Sequence, residues 1–135
     1  MNSRIKIINQ MITNTILPDV WLKGTVIKGQ GRGKKLGFPT INLQLGQALN
    51  LRSGVYLCKI KIGNNNYQGL LFYGPQSTFS NNDISCELLL TKHISGIYLG
   101  LTVLFKPMNY LREAKRFPSA ASLVAQIHKD LEFVQ

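Results

Sequence analysis

The sequence has few acidic residues. Its 135 residues include 6 Asp and Glu against 16 Lys and Arg, which gives a formal net charge of +10. This surplus predicts an attraction for anions, and nucleotides, nucleic acids and acidic membranes all meet that description. Charge therefore narrows the class of ligand without choosing one.

Cysteine and histidine are scarcer still, with two residues of each. Cys58 and Cys86 lie in apolar, strand-like stretches, which is typical of buried thiols in a reduced cytosolic protein. A disulfide between neighbouring strands stays an open alternative. His93 and His128 have no cysteine or histidine at metal-binding spacing, so we do not expect a zinc site.

Long hydrophobic runs are also missing. The isoleucines near the N-terminus are interrupted by Lys6, and the stretch is too short for a signal peptide or a membrane-spanning helix. We therefore expect a soluble, cytoplasmic protein without a membrane partner. Residues 1–20 are expected to form a lead-in segment, in which scattered apolar positions predict a short helix that ends before Pro18. Residues 21–135 fit one domain.

The body of that domain shows short alternating stretches separated by turn residues. This pattern predicts strands over residues 21–27, 54–62, 67–73, 84–90 and 98–105, with the last one stopped by Pro107 and a polar loop over 43–53. Five or six short strands of this kind are typical of a mainly β protein built as a small antiparallel barrel.

One helix is expected after the strands. Ser119 is a suitable N-cap, and an apolar stripe at helical spacing follows it, formed by Leu123, Val124, Ile127, Leu131 and Val134. We expect this C-terminal helix to pack on the barrel.

A glycine-rich stretch with the sequence GTVIKGQGRGKKLGFPTIN covers residues 24–42. Gly29, Gly31 and Gly33 let the backbone approach a bulky anion, and Lys34 lies among several cations that would neutralise it. The stretch is not a Walker A loop, because Lys28 occupies the first glycine position of that motif, and it is not a dinucleotide fingerprint either. A polyphosphate is the expected occupant, and a plain hairpin loop is the alternative.

Thr40 and Asn42 end this stretch, one residue apart. In an extended segment their side-chain oxygens lie on the same side, which suits Mg²⁺ because this ion takes hard oxygen ligands and few protein groups. The alternative is a turn in which Asn42 bonds its own backbone.

The segment GRGKKLGFPTIN resembles the signature of riboflavin kinases, G-x-G-x-G-[RK]-x-L-G-F-P-T-A-N, with Ile41 at the usual alanine. The resemblance implies a six-stranded antiparallel Greek-key β-barrel with a C-terminal helix. It also implies Mg²⁺-dependent transfer of the ATP γ-phosphate to riboflavin, giving FMN. Residues Gly29, Gly31, Gly33, Lys34 and Thr40 would bind ATP, and Thr40 and Asn42 would bind the metal. In similar bifunctional enzymes an FMN adenylyltransferase domain precedes the kinase.

The same resemblance assigns two further residues. Glu87, in the strand-like sequence ISCELLL, matches the family's catalytic glutamate, which also meets the flavin, and Leu89 stands where the family commonly has histidine. Arg112, in the segment LREAKRF, would face the flavin. The residues alone leave alternatives open: an exposed edge position for Glu87 and a solvated basic segment around Arg112.

Two other functions are kept as alternatives. The loop over residues 72–79 and Leu89 both depart from the family pattern. These departures are the reason to keep a barrel that binds flavin or nucleotide without catalysis as an alternative. A basic barrel that binds single-stranded nucleic acid needs aromatic residues among its cations. Tyr56 is predicted on the face opposite Lys59 and Lys61, so we do not expect nucleic acid as a partner.

Overall fold

The computed structural model describes residues 17, 19–29, 36–75 and 84–134. In these residues six antiparallel strands close into a barrel in the order β1-β2-β5-β4-β3-β6. The strands are β1 (Leu22–Ile27), β2 (Thr40–Gln44), β3 (Gly54–Ile62), β4 (Asn65–Pro75), β5 (Ile84–Leu90) and β6 (Thr102–Arg112), followed by helix α1 (Ala120–Leu131). The predicted mainly β barrel with a C-terminal helix is confirmed. Most of the predicted lead-in lies outside the described residues.

The order of the strands makes a Greek key. β3, β4 and β5 pair in sequence, and β2 then lies against β5 instead of the β3 that follows it in the chain. This crossover brings the glycine-rich stretch next to the strand of Glu87, which is the arrangement on which the candidate site depends.

The interior of the barrel is filled by one side of each strand. Tyr56, Ile60, Leu88 and Phe105 are fully buried there, and the rings of Tyr56 and Tyr110 meet edge to face at 5.2 Å. The alternation predicted for residues 54–62 and 84–90 is therefore confirmed for the inward side.

A second apolar cluster lies outside the barrel, under α1. Val55, Leu57, Leu70 and Leu89 point outward from their strands and are buried against Ile127. Burial of such a side chain stabilises by roughly 1.5–3 kcal/mol. Because α1 covers them, the first half of β3 is buried on both faces, which a simple alternation does not predict.

The helix begins as expected at Ser119. The Ser119 hydroxyl accepts a hydrogen bond from the Ser122 backbone N–H at 3.1 Å, and the Ser122 hydroxyl accepts one from the Ser119 N–H at 3.3 Å. This reciprocal pair is a capping box, with serine in place of the usual glutamate at the third position.

The prediction for the last strand was wrong. β6 covers Thr102–Arg112, whereas Tyr98 and Leu99 are exposed outside any strand. The reason is that β1 pairs with β6 only as far as Phe105, so Pro107 needs no N–H on that side. On the other side, the register with β3 shifts between Leu57 and Cys58, next to the proline. The predicted loop also begins too early, because β2 runs to Gln44.

Cys58 and Cys86 are both buried and free. They lie on β3 and β5, which are separated by β4, so they are not on neighbouring strands. Burial raises the pKa of both thiols. Within the described part of the chain, no helix is both long and apolar enough to cross a bilayer.

Candidate active site

The predicted base and one predicted metal ligand lie directly opposite each other. Asn42 on β2 pairs with Glu87 on β5, and residues in this position have Cβ atoms about 5 Å apart. Their neighbours Ile41 and Leu88 point into the core, so both polar side chains lie on the outer face and are partly exposed. The barrel therefore brings together two residues, Asn42 and Glu87, that are 45 positions apart in the sequence.

Thr40 lies beside this pair on the same face. It is opposite Leu89, which is 2% exposed and belongs to the cluster under α1. Leu89, at the position of the family's histidine, thus packs against the apolar side of the site. Thr40 stands at the boundary between that cluster and the polar pair.

Residues 37–39, which precede Thr40, are held in place by contacts on two sides. The Leu90 backbone N–H donates to the Pro39 carbonyl at 2.9 Å, which extends the pairing of β2 with β5. The Phe38 ring meets the His128 ring of α1 edge-on at 5.5 Å. Gly37 has a φ of 88°, which favours glycine, so the turn into the segment depends on this residue. Thr40 and Asn42 therefore belong to a strand, and the turn alternative for Asn42 is wrong.

Gly29, the first glycine of the loop, lies against Asn42. A Cβ atom added to Gly29 would be 1.9 Å from Asn42 Nδ2, so any side chain here would displace the asparagine. The start of the loop thus lies against Asn42, the residue that pairs with Glu87. Gly31, Gly33 and Lys34 lie outside the described residues.

The donor set fits a hard cation. Hydroxyl, amide and carboxylate oxygens are available on one face from Thr40, Asn42 and Glu87, which is the chemistry that Mg²⁺ prefers. Among the described residues, no three His, Cys, Asp or Glu side chains come together as a metal site. The negative charge of Glu87 also adds to burial in raising the pKa of the neighbouring Cys86 thiol to about 12.

Arg112 lies further round the outer face. Successive cross-strand pairs connect Glu87 to Phe72, Phe72 to Val55, and Val55 to Arg112, a separation of about 14 Å over three strand spacings. The Arg112 guanidinium binds Asp130 of α1, with Nη2 2.8 Å from one carboxylate oxygen and Nε 3.1 Å from both. Arg112 is therefore not simply solvated, and its contact with flavin stays a prediction.

Two features of this face are not predicted by the sequence analysis, the role of Asp130 and the place of Phe72. Phe72, in the segment that departs from the family pattern, lies opposite Glu87, and only the pairing of β4 with β5 shows this placement. Asp130 had a weak signal, because it is three residues after Ile127 and therefore on the buried side of the helix. A buried carboxylate at that place needs a cationic partner.

The chain is similar to known proteins over most of its length. Residues 18–135 match the family model described as riboflavin kinase. The RNA-binding riboflavin kinase RibR of Bacillus subtilis is 35% identical over 117 residues, which cover 84% of this chain and 49% of that protein. The bifunctional riboflavin kinase/FMN adenylyltransferase of Listeria monocytogenes is 31% identical over 110 residues, covering 80% of this chain and 35% of the other.

A solved structure is also similar. It is described as a macrolide-efflux protein from Streptococcus pneumoniae, and it matches with a TM-score of 0.77 and 26% sequence identity over 97% of this chain and 42% of that one. This chain spans less than half of each of these relatives. Since the family model covers most of its length, the chain belongs to the riboflavin kinase family.

Proposed function

We propose that this chain is a riboflavin kinase that transfers the γ-phosphate of ATP to the 5′-hydroxyl of riboflavin, giving FMN and ADP. One observation carries the proposal: Asn42 and Glu87 face each other on paired strands, and Gly29, where the glycine loop begins, lies against Asn42. Membership of the family supports the same reaction. ATP as co-substrate and the two free thiols are consistent with a cytoplasmic location.

Phosphoryl transfer depends mainly on position and charge. The Thr40 hydroxyl and the Asn42 amide oxygen would hold Mg²⁺, which neutralises phosphate charge when bound. The backbone N–H groups of Gly31 and Gly33, with Lys34, would hold the phosphate oxygens. Gly29 supports this assignment because it places the beginning of that loop against Asn42.

Glu87 would act as the general base. Its carboxylate accepts the proton of the 5′-hydroxyl while the hydroxyl oxygen bonds to the γ-phosphorus and the bond to the β-phosphate oxygen breaks, releasing ADP. The proton then passes to solvent, which reaches Glu87 because its side chain is only partly buried.

The flavin ring would lie toward the apolar side of Glu87. Phe72 is the cross-strand neighbour in that direction, and it packs on the cluster under α1. The Arg112 guanidinium lies at the far end of the same row. An aromatic surface beside the base suits an isoalloxazine ring.

The test is direct. The protein is incubated with riboflavin, ATP and Mg²⁺, and the flavins are separated by chromatography. FMN formation that is lost with EDTA supports the proposal. Binding of riboflavin or ATP without any FMN would instead support the non-catalytic alternative.

The Listeria relative's name combines this activity with FMN adenylyltransferase. We accordingly place the chain at the FMN-forming step, before a reaction that adds an adenylyl group. Adding the products to a separate adenylyltransferase and measuring FAD would check that the FMN formed is a usable substrate.

A further inference from the structure

The end of β6 carries Arg112, and an arginine from a distant loop holds this end in place. We propose that Arg52, in the loop between β2 and β3, is a positioning residue for the riboflavin side of the site. Through Glu113 it fixes the backbone that follows Arg112, and so it sets the direction of the Arg112 guanidinium. This inference rests on the proposed function, in which Arg112 contacts the flavin.

A β-bulge turns Arg112 to the outer face of the barrel. Tyr56 of β3 pairs with Tyr110, whereas Val55, the residue before it, pairs with Arg112, so Leu111 is an extra residue on β6. Tyr110 points into the barrel, and strict alternation would point Arg112 inward as well. With the extra residue, Arg112 faces outward. A bulge interrupts the hydrogen bonds between two strands, so the direction of Arg112 needs support from other contacts.

Two contacts of the Arg52 side chain supply this support. Its guanidinium lies 4.7 Å from the centroid of the Tyr110 ring, and its Nη2 atom lies 2.8 Å from Oε1 of Glu113. The Glu113 carbonyl in turn accepts a hydrogen bond from Arg112 Nη1 at 3.3 Å. Arg52 therefore contacts residues on both sides of Arg112, and it is 61 positions away from Glu113 in the sequence.

The backbone that carries Arg52 is itself held from inside the barrel. The hydroxyl of the buried Tyr56 donates a hydrogen bond to the Arg52 carbonyl. In the same loop, the Leu49 N–H donates to the hydroxyl of the buried Tyr73 at 3.0 Å. Exposed ion pairs usually contribute little, partly because two long side chains must be ordered. Here the anchored backbone and the stacked ring already order the arginine, so the ion pair can fix its partner at a smaller entropic cost.

The proposed metal ligands are far from this contact. Arg112 is three strand spacings from Glu87 along the outer row, and Asn42 is one spacing further, a total of about 19 Å. Loss of Arg52 should therefore change the binding of riboflavin and leave the binding of ATP as it is.

The experiment compares the two substrates in the whole chain. The Kd for riboflavin is measured by the quenching of its own fluorescence, and the KM for each substrate is measured by FMN formation. Arg52→Ala should raise the Kd and KM for riboflavin about threefold, as expected for the loss of an exposed ion pair, with the KM for ATP unchanged. Arg52→Lys keeps the charge and should recover most of the affinity.

A matched control removes the same charge elsewhere. Lys129 is an exposed lysine on α1, and Lys129→Ala should leave the Kd for riboflavin and the KM for ATP at the parent values. Arg52 and Glu113 are also exposed, so their variants should fold, with urea midpoints close to that of the parent.

A double-mutant cycle shows whether Arg52 acts through Glu113. Glu113→Ala should raise the same Kd, and the double variant should bind riboflavin no more weakly than the single variants. Additive effects would overturn the proposal, and so would a parent-like Kd for riboflavin in Arg52→Ala. An equal rise in the KM for ATP would also overturn it, because it would indicate a general loss of structure.

Failure of this inference and failure of the proposed kinase activity give different results. The Kd for riboflavin does not depend on turnover. A parent that forms no FMN contradicts the proposed activity, whereas a parent that forms FMN, together with an Arg52→Ala variant of unchanged Kd, contradicts only the role of Arg52.

Discussion

The outer face of the barrel has two regions, one covered by α1 and one open. Leu89 and Glu87 lie two residues apart on β5 and point the same way, yet Leu89 is 2% exposed under the helix and Glu87 is partly exposed beside Asn42. The difference shows that strand position alone does not set the chemistry of an outward residue. The helix decides it, because a carboxylate at position 89 would lose its water against the apolar cluster under α1.

The largest expected effect comes from the open region. Glu87→Gln keeps the shape of the side chain but removes the proposed base, so kcat for FMN formation should fall by about 10² or more. ATP binding, measured by calorimetry, should be nearly unchanged. Ser85→Ala, also on β5 and facing the same side, is the control and should keep its kcat. If the Gln variant turned over at the parent rate, Glu87 would not be the base.

Removing the ion pair between Arg112 and Asp130 should destabilise the covered region. The Asp130 side chain is 4% exposed and the Arg112 side chain 15%, so Asp130→Ala leaves a largely buried guanidinium without its partner. The free energy of unfolding should drop by about 3 kcal/mol, measured by urea denaturation. The control is Glu113→Ala, which removes an exposed ion pair with Arg52 and should cost less than about 1 kcal/mol.

The same pair tests the flavin role of Arg112. If the guanidinium faces the flavin, Arg112→Ala should raise the KM for riboflavin more than Asp130→Ala does. An equal rise in this KM for the two variants would mean that Arg112 acts only through its ion pair with the helix.

The interior behind the open region should respond to alkaline pH. Burial, with a smaller contribution from Glu87, raises the pKa of Cys86 to about 12, and burial also raises the pKa of Cys58. The unfolded chain loses these protons near pH 8.5, so the stability that the thiols contribute is complete below that pH and decreases as pH rises from there toward 12. The decrease is roughly 1.4 kcal/mol per thiol per pH unit.

Thiol alkylation checks this directly. At pH 8 iodoacetamide should leave both cysteines of the folded protein unmodified and should modify them after unfolding in urea. Rapid alkylation of Cys86 in the folded state would contradict its burial inside the barrel.

A smaller change is expected at the edge of the open region. Gly29→Ala should push the Asn42 side chain away from Glu87, because the new Cβ would lie 1.9 Å from Asn42 Nδ2. We expect the KM for ATP to rise about tenfold, which corresponds to ~1.4 kcal/mol. Gly46→Ala, where nothing lies within 4 Å of the added Cβ, should leave the KM unchanged. An unaltered KM in the Gly29 variant would show that the contact of the loop with Asn42, the proposed metal ligand, does not affect ATP binding.

The smallest effect concerns Asn109 of β6. This residue pairs with Leu57 of the covered cluster and is 1% exposed, and its amide oxygen and nitrogen have no hydrogen-bond partner among the described residues. Asn109→Leu should therefore raise the free energy of unfolding by about 1 kcal/mol. A lower urea midpoint for this variant would show that the amide is hydrogen-bonded in solution.

The sequence by itself determined the local features. Alternation predicts the inward faces of β3 and β5, Ser119 and the apolar stripe predict α1, and the GFPTIN segment indicates the family. These features depend on residues that are close together in the chain, so their periodicity and spacing can be read directly.

Only the tertiary structure decided which of these features meet. The pairing of Asn42 with Glu87 requires β2 to cross over to β5, and the pairing of Arg112 with Asp130 requires α1 to lie across the strands. Likewise, β6 can continue past Pro107 because its pairing with β1 extends only to Phe105. Contacts of this kind join distant parts of the chain through burial and strand pairing, and no local pattern records them.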